Sequence, residues 1–423
     1  MTRFPAKPPV RQIDPVIFKN VKKASLDNGT PVYLINAGTE DILRIEFIFS
    51  AGYINESGPL IASTTNLMLA EGTLNHSSAK LAGMLDYYGS FHNLYCEKDK
   101  AGLVLLFLNR YAGKMLDLAQ QMLFEPAFKE HELRTLMRKR LRWFLVNREK
   151  VQNLANDRFF ETIFGKDHPY GKIISEKDFE SVTIPVIRNY HSAFYTHGSM
   201  AIIASGMISQ STFDLINKTF GGIKPDSTPT MRKEFSVSRV GEKKIHTEKK
   251  GAVQTAVRIG SATINKRHPD YIGLKVTDTI LGGYFGSRLM KNIREEKGLT
   301  YGIYSSVTSL DLTGYKLISA EVSKEFTQKA IDEIFSEIKD LREKPVGKDE
   351  LEIVRNFMLG EMIRMFDGPF ALAESFRSAW EFGLDNSYYQ RMAEKIRTIT
   401  PDEIMQLAQT YYNIDEMYQV TAG

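Results

Sequence analysis

Two stretches of this chain repeat each other in register. Val182, Thr183, Ile187, Phe194, Tyr195, Met200, Ile203 and Gly206 recur as Ile399, Thr400, Ile404, Tyr411, Tyr412, Met417, Val420 and Gly423, offset by 217 residues (423 − 206). A second pair, His131-Glu132-Leu133 up to Leu141 against Asp349-Glu350-Leu351 up to Leu359, is offset by 218 (359 − 141). Long segments repeating at about half the chain length imply a duplicated domain, not a stack of short units. Any fold proposed for this sequence must therefore be built twice.

The composition is compatible with that. With 423 residues and 43% apolar content, the chain can bury two ordinary cores. The 55 basic and 51 acidic side chains leave a net charge of +4, too near balance to drive binding to nucleic acid or to anionic membrane. Cys96 is the single cysteine, which excludes an intramolecular disulfide and fits a reducing compartment. The opening MTRFPAKPPVRQIDP places prolines and charges where a secretory signal needs an apolar run. No segment reaches the roughly 18 to 20 apolar residues of a membrane span. The expectation is a soluble, cytoplasmic, two-domain protein.

Hydrophobic periodicity then orders the elements. Residues 31–36 and 42–50 alternate as strands after the turn Asp27-Asn28-Gly29, and residues 59–71 and 78–88 read as helices. Strands at 90–96 and 101–108 precede helices at 110–124, 129–146, 151–164 and 184–195, and a strand at 199–205 closes the half. The second half repeats this order: strand 252–260, helices 269–281 and 287–295, strands 300–308 and 314–322, helices from Thr327, and a last strand Met417–Thr421. Hairpin-connected strands with grouped helices predict an α+β fold, each domain a largely antiparallel sheet covered on one face. The densest breaker cluster, Gly221-Gly222, Pro225, Asp226, Ser227 and Pro229, places a linker at 221–245 between a first domain, 1–220, and a second, 246–423.

Several motifs stand out against this background. Leu281-Gly282-Gly283, Ser287-Arg288-Leu289 and Arg294-Glu295-Glu296-Lys297-Gly298-Leu299-Thr300-Tyr301 follow one another in the second half. Gly89-Ser90-Phe91-His92-Asn93, Gly72-Thr73 and His168-Pro169-Tyr170-Gly171 lie in the first. In this order, on duplicated halves, they resemble the pitrilysin/insulinase family of zinc peptidases, which includes the mitochondrial processing peptidases. The resemblance implies two homologous domains of the LuxS/processing-peptidase-like kind, and two such chains closing like a clamshell around a peptide chamber.

It also implies a zinc site that this sequence does not contain. Family peptidases carry an inverted motif, H-x-x-E-H, on the helix leading into the Gly-Thr pair. Here Ser63 and Leu67 stand at the histidine positions, Asn66 at the catalytic glutamate, and Trp143 or Phe144 where a third ligand belongs. A zinc hydrolase needs three good ligands, an open coordination position and a carboxylate to take a proton from water. One hydroxyl and one amide supply none of this, and no other pair of histidines has the i, i+4 spacing beside a glutamate. His191 and His197 lie six apart across a helix end and are poor ligand candidates.

The second half retains what the first lacks. In the family, an arginine and a tyrosine seven residues apart hold the substrate carbonyl and steady the developing oxyanion, and Arg294 and Tyr301 have that spacing (301 − 294). Gly298 should end the helix bearing Arg294 so that both face one opening. The resemblance also marks Asn93-Leu94 as a strand edge along which extended peptide is bound, with a larger residue here than the family's alanine. On these grounds the chain is expected to be a non-catalytic subunit of a heterodimeric zinc peptidase. It binds no cofactor itself, and it donates Arg294 and Tyr301 to a homologous partner chain that holds the zinc. A self-associating peptide-binding or scaffold protein is the alternative, and an enzyme with an unrecognised site a third reading.

Other features carry less. Cys96 and His92 lie about 13 Å apart along a strand, too far to act as nucleophile and base, so a structural thiol is expected. Arg134, Arg138 and Arg142, with Lys139 and Arg140, form a basic helix stripe read as a solvated face. The basic run 233–250 lacks the interleaved aromatics of a nucleic-acid site.

Overall fold

A computed structural model of the chain describes residues 21–196, 200–222, 235 and 241–423. The first sheet contains β1 (Lys22–Ser25), β2 (Pro31–Asn36), β3 (Ile42–Phe49), β4 (Phe91–Cys96), β5 (Ala101–Leu108) and β6 (Met200–Gly206), in the order β1-β2-β6-β3-β5-β4. The second contains β7 (Lys244–Thr247), β8 (Gln254–Thr263), β9 (Thr300–Ser309), β10 (Gly314–Ser323) and β11 (Tyr418–Ala422), in the order β7-β11-β8-β10-β9. Pairing is antiparallel except for β2 with β6 and β7 with β11, which run parallel. The helices of the first half are α1 (Ile61–Met68), α2 (Ser78–Tyr87), α3 (Ala112–Phe124), α4 (Glu130–Arg148), α5 (Val151–Phe164), α6 (Asp178–Ser181), α7 (Ile184–His191) and α8 (Gln210–Phe220). Those of the second are α9 (Tyr271–Asp278), α10 (Thr327–Glu343), α11 (Lys348–Arg364), α12 (Gly368–Trp380), α13 (Ser387–Thr398) and α14 (Pro401–Tyr411). The segment expected as a helix at 287–295 is helical, mostly as a π-helix, Met290–Glu296. Most of the segment read as a linker, residues 223–234 and 236–240, lies outside the described residues.

The duplication is visible in register. α4 and α11 start 218 residues apart (348 − 130), and α5 and α12 start 217 apart (368 − 151). In the first sheet Phe47 of β3 pairs with Ile202 of β6; in the second, Ile259 of β8 pairs with Gln419 of β11. The β6 to β11 offset is thus 217 (419 − 202), and the β3 to β8 offset is 212 (259 − 47).

The expected one-face cover holds at the outer strands β4 and β9, where Phe91, Asn93, Tyr301 and Tyr304 are exposed, but part of each sheet is covered on both faces. Along β3, Leu43, Ile45, Phe47 and Phe49 enter the core beneath the first half's own helices. The alternate residues Arg44, Glu46 and Ile48 are buried as well. Their cover is α12, from the other half, which packs on β2 and β6 through Ala373 and Phe376. Reciprocally, α5 of the first half lies on β8 and β11, where Ala155 meets Ala256 and Ala422. Each half therefore lends the corresponding helix to the other, so the polar positions Arg44 and Glu46 of the alternating strand β3 are buried instead of facing solvent.

Charge is buried in both contacts. Glu46, fully buried, meets Arg44 at 2.9 Å and Arg377 of α12 at 3.0 Å. Arg377 also reaches Glu97 at 2.7 Å and Glu381 at 2.7 Å, and lies over the ring of Tyr95. In the mirror contact Arg258 of β8 donates to Asn156 of α5 at 2.6 Å and to Glu321 at 2.9 Å. Removing one partner of such a buried pair leaves an uncompensated charge. Arg377→Ala is expected to destabilise the protein by about 3 kcal/mol, and adding Glu46→Gln should recover part of the loss. Thermal unfolding of both variants checks this; an unchanged midpoint in Arg377→Ala would refute it.

Candidate functional site

α1, the helix on which the zinc motif would lie, packs against β4, β5 and α7. Leu60 enters it at φ 70, an unusual conformation for a residue with a Cβ, and the Glu56 carboxylate accepts the Ala62 N–H at 3.1 Å. Ser63 and Thr64 face α4. There the Arg140 guanidinium donates from Nη2 to Ser63 Oγ at 2.7 Å and from Nη1 to Thr64 Oγ1. Leu67 is half-buried, Trp143 is 69% exposed, and Phe144 packs against Phe179. Among the described residues no group of three or more His, Cys, Asp or Glu could hold a metal ion. The donor set fails for the same reason as the sequence: where a metal would need lone pairs, Ser63 and Thr64 already accept from a cation.

Asn66 points elsewhere. It is 1% exposed, and its Nδ2 donates to Gly102 O at 3.1 Å and to the buried Tyr195 hydroxyl at 3.0 Å. The 217-residue offset equates Tyr195 with Tyr412, and α9 stands in the second half where α1 stands in the first. Tyr412 indeed donates to Asp278 at 2.8 Å. Both halves thus hold a polar residue on this helix against a buried tyrosine, and in this chain the arrangement is part of the core.

Arg140 was read from sequence as part of a basic stripe, and that grouping is corrected. Arg134, Arg138 and Arg142 are exposed, Arg134 pairing with Glu130 at 3.2 Å. Arg140 instead shares a face with Met137 and Phe144, at i+3 and i+7 spacing from Met137, and turns toward α1. Helix periodicity could have separated it from the stripe. Burial weighs against its charge, while Tyr53, Cys96 and Glu56 lie within electrostatic reach. Burial likewise raises Glu56 to about 7 and pushes the Cys96 thiol well above its ordinary value. Cys96 Sγ lies 3.8 Å from Ala51 O, in keeping with a structural thiol.

Several landmarks of the resemblance prove to have packing roles. A Cβ on Gly282 would come within 2.7 Å of Ser305, so only glycine lets this turn lie on β9. Arg288 makes a two-pronged contact with Glu350, both bonds 2.8 Å. His168 is buried and accepts the Tyr170 N–H at 3.0 Å, while the Tyr170 hydroxyl binds Asp99, which accepts the Asp311 N–H from the other half at 2.9 Å. His191 is also buried, bonded to Leu123 O and stacked on Tyr195; His197 lies outside the described residues.

Arg294 and Tyr301 differ from these. Gly298, at φ 61, ends the turn that carries Arg294, and the Leu299 N–H returns to Ile293 O at 2.9 Å. Arg294 Nε donates to the backbone oxygen of Tyr301 at 3.0 Å, and its guanidinium lies 4.6 Å from the centre of the exposed Phe285 ring. The Tyr301 side chain is 94% exposed at the start of β9, the edge strand of the second sheet. β4 is the matching edge of the first sheet: Asn93 is exposed and Leu94 leans into the core on the α1 side. The structure therefore joins Arg294 to Tyr301, and Ser63 to Arg140 beside β4, as two groups on different sheets.

Comparison with known proteins agrees with the sequence resemblance. Residues 181–358 match the family model described as the peptidase M16 inactive domain. An uncharacterized zinc protease, YmxG, of Bacillus subtilis is 24% identical over 349 residues, 81% of this chain and 84% of that protein. The non-peptidase homolog YmxG of Helicobacter pylori is 19% identical over 354 residues, 83% of this chain and 81% of that protein. In fold, a peptidase M16 inactive domain from Pseudomonas fluorescens superimposes with TM-score 0.88 at 23% identity, covering 96% of this chain and 98% of that one. A protease from Helicobacter pylori gives 0.85 at 19% identity, covering 96% and 100%.

Glu56 offers a test of the site's electrostatics. Its folded pKa, about 7, lies above the ordinary 4.5, so the folded chain holds a proton that the unfolded chain releases between these values. Stability contributed by this group is full below pH 4.5 and falls as pH rises to about 7. Glu56→Gln keeps an acceptor for Ala62 and removes the ionisation. Relative to the parent, it should be more stabilising at pH 8 than at pH 5, by at most about 3 kcal/mol. Unfolding midpoints of both proteins at the two pH values decide it; an equal difference at both would refute the assignment.

Proposed function

We propose that this chain, a homologue of the M16 (pitrilysin/insulinase) zinc peptidases, is a non-catalytic subunit that completes a peptidase with a homologous, zinc-bearing partner. The observation that carries this reading is the Arg294–Tyr301 pair. Other landmarks of the resemblance are consumed by packing, whereas Tyr301 leaves its ring in solvent and Arg294 touches that residue's backbone, an exposed aromatic face and, at 4.0 Å, the neighbouring Glu295. Exposure leaves the Tyr301 phenol and the Arg294 guanidinium accessible to a bound peptide or a partner chain. A guanidinium and a phenol are donors suited to an oxyanion.

In this reading Ser63, Asn66, Leu67 and Trp143 supply no metal ligand, Arg294 and Tyr301 act in trans, and half of the peptide chamber belongs to this chain. Peptide would lie along the open edge of β4 at Asn93 and Leu94, with Gly298 holding the turn behind Arg294. We assign it to the cytoplasm on its single cysteine. No helix of the described residues is long and apolar enough to cross a membrane. Two of the four end strands, β4 and β9, also suit a second reading, a peptide-binding scaffold without hydrolysis.

Purified alone, the chain should contain no stoichiometric zinc by elemental analysis and cleave no peptide. With its partner, Arg294→Ala should lower turnover about 100-fold or more while assembly, followed by size measurement, is retained. One zinc per isolated chain, or unchanged turnover in the variant, would overturn the proposal. A stable homodimer that captures no zinc-bearing chain would favour the scaffold.

A further inference from the structure

The zinc position is occupied by chemistry of its own. Arg140 lies on the inward face of α4, and its guanidinium spans Ser63 and Thr64 of α1. Arginine has five N–H donors in a planar fork, and these two bonds use only part of it. None of its nitrogens is both buried and unpaired, so the remaining donors meet solvent. Among the described residues Arg140 has no ion-pair partner, unlike Arg44, Arg258, Arg288 and Arg377, each matched to a carboxylate. A half-buried, pre-positioned guanidinium with free donors and no directly bonded carboxylate, Glu56 being within electrostatic reach only, is an unfilled recognition group.

Its surroundings define what could fill it. About one turn along α4 Trp143 presents apolar surface, 69% exposed, and Val146, nearly two turns along, is 68% exposed. Ser63 fixes one side of the fork, and α1 packs against β4, whose outer edge has no strand partner among the described residues. An extended chain added to that edge would lie on the strand that α1 packs against, and α1 holds the cation.

We propose that Arg140, positioned by Ser63, is a carboxylate-binding site that recognises an extended peptide through a free carboxylate, in place of the metal of catalytic relatives. This rests on reading the chain as peptide-binding, and not on the existence of a zinc-bearing partner. The carboxylate could be a peptide C-terminus or an acidic side chain; both present the same planar pair of acceptors.

Trp143, at i+3 from Arg140, is a built-in reporter, and the other tryptophan, Trp380, is tied to Tyr33 at the contact between the halves. The full chain is titrated with an N-acetylated apolar tetrapeptide as the free acid, as its C-terminal amide, and as the amide with an internal aspartate. Trp143→Phe supplies the background. The free acid should quench fluorescence saturably and bind about tenfold or more tightly than the plain amide. Arg140→Gln should reduce the acid to the level of the amide, and Arg140→Lys, which keeps charge but not the fork, should fall between. Circular dichroism and Ser63→Ala, which frees one side of the fork without removing it, guard against misfolding. Aspartate-peptide binding equal to that of the acid identifies a side-chain carboxylate as sufficient. Equal binding of acid and plain amide would overturn the carboxylate site while leaving peptide binding intact. Indifference of the acid to Arg140→Gln, or no saturable response to any carboxylate, would also overturn it. Turnover of Arg294→Ala with the partner is read separately, so failure of either idea is distinguishable from failure of the other.

Discussion

The exchange of α5 and α12 between the halves is the constraint on which the rest depends. A sheet with helices on one side only would expose its other face, and in β3 that face contains Arg44, Glu46 and Ile48. Helix α12 covers it and brings Arg377 to Glu46; α5 covers the second sheet and brings Asn156 to Arg258. Because each half completes the other, neither sheet is buried on both faces without its partner half. The contact between halves therefore also fixes where each sheet edge sits, and the candidate groups are built on those edges. Tyr170, Asp99 and Asp311 reinforce the same contact away from the helices.

Symmetry of fold has not kept symmetry of chemistry. The same helix in each half holds a polar side chain against a buried tyrosine, Asn66 with Tyr195 and Asp278 with Tyr412. An amide, having donors, can bond to both a carbonyl and a hydroxyl, as Asn66 does with Gly102 and Tyr195. A carboxylate accepts only, as Asp278 does from Ser305 and Tyr412. Next to Asn66, Ser63 receives a guanidinium. A fixed positive charge there opposes a second cation and favours an anion, so restoring a single metal ligand on α1 would not by itself recreate a metal centre.

Much of this was legible in the sequence because local physics determined it. The 217-residue repeat corresponds to β6 against β11 and α7 against α14, and α5 was bounded to the residue by its periodicity and flanks. Gly298 could be assigned as a turn-ending residue because a left-handed backbone selects glycine. What stayed hidden depended on contacts between distant segments. No pattern in α12 says that it covers β2 and β6; its apolar face reads the same whichever sheet receives it. The landmark His168-Pro169-Tyr170-Gly171 gave no sign that it locks the two halves together. Asn66 takes its motif position from the resemblance alone, and no local pattern shows that it bonds Tyr195 as Asp278 bonds Tyr412.

Arg140 shows how such a residue can be misread. Five basic residues within nine positions of α4 look like one charged surface, and composition treats them alike. On a helix, however, neighbours in sequence point about 100° apart, so Lys139 and Arg140 cannot share a direction. Met137, Arg140 and Phe144 form the inward stripe, and an arginine there must find hydrogen-bond acceptors or solvent access to keep its charge. Ser63 and Thr64 supply acceptors only because the positions of a metal-binding helix have become hydroxyl-bearing. Where the resemblance would place a metal ligand, this chain therefore holds a hydroxyl that accepts from a cation.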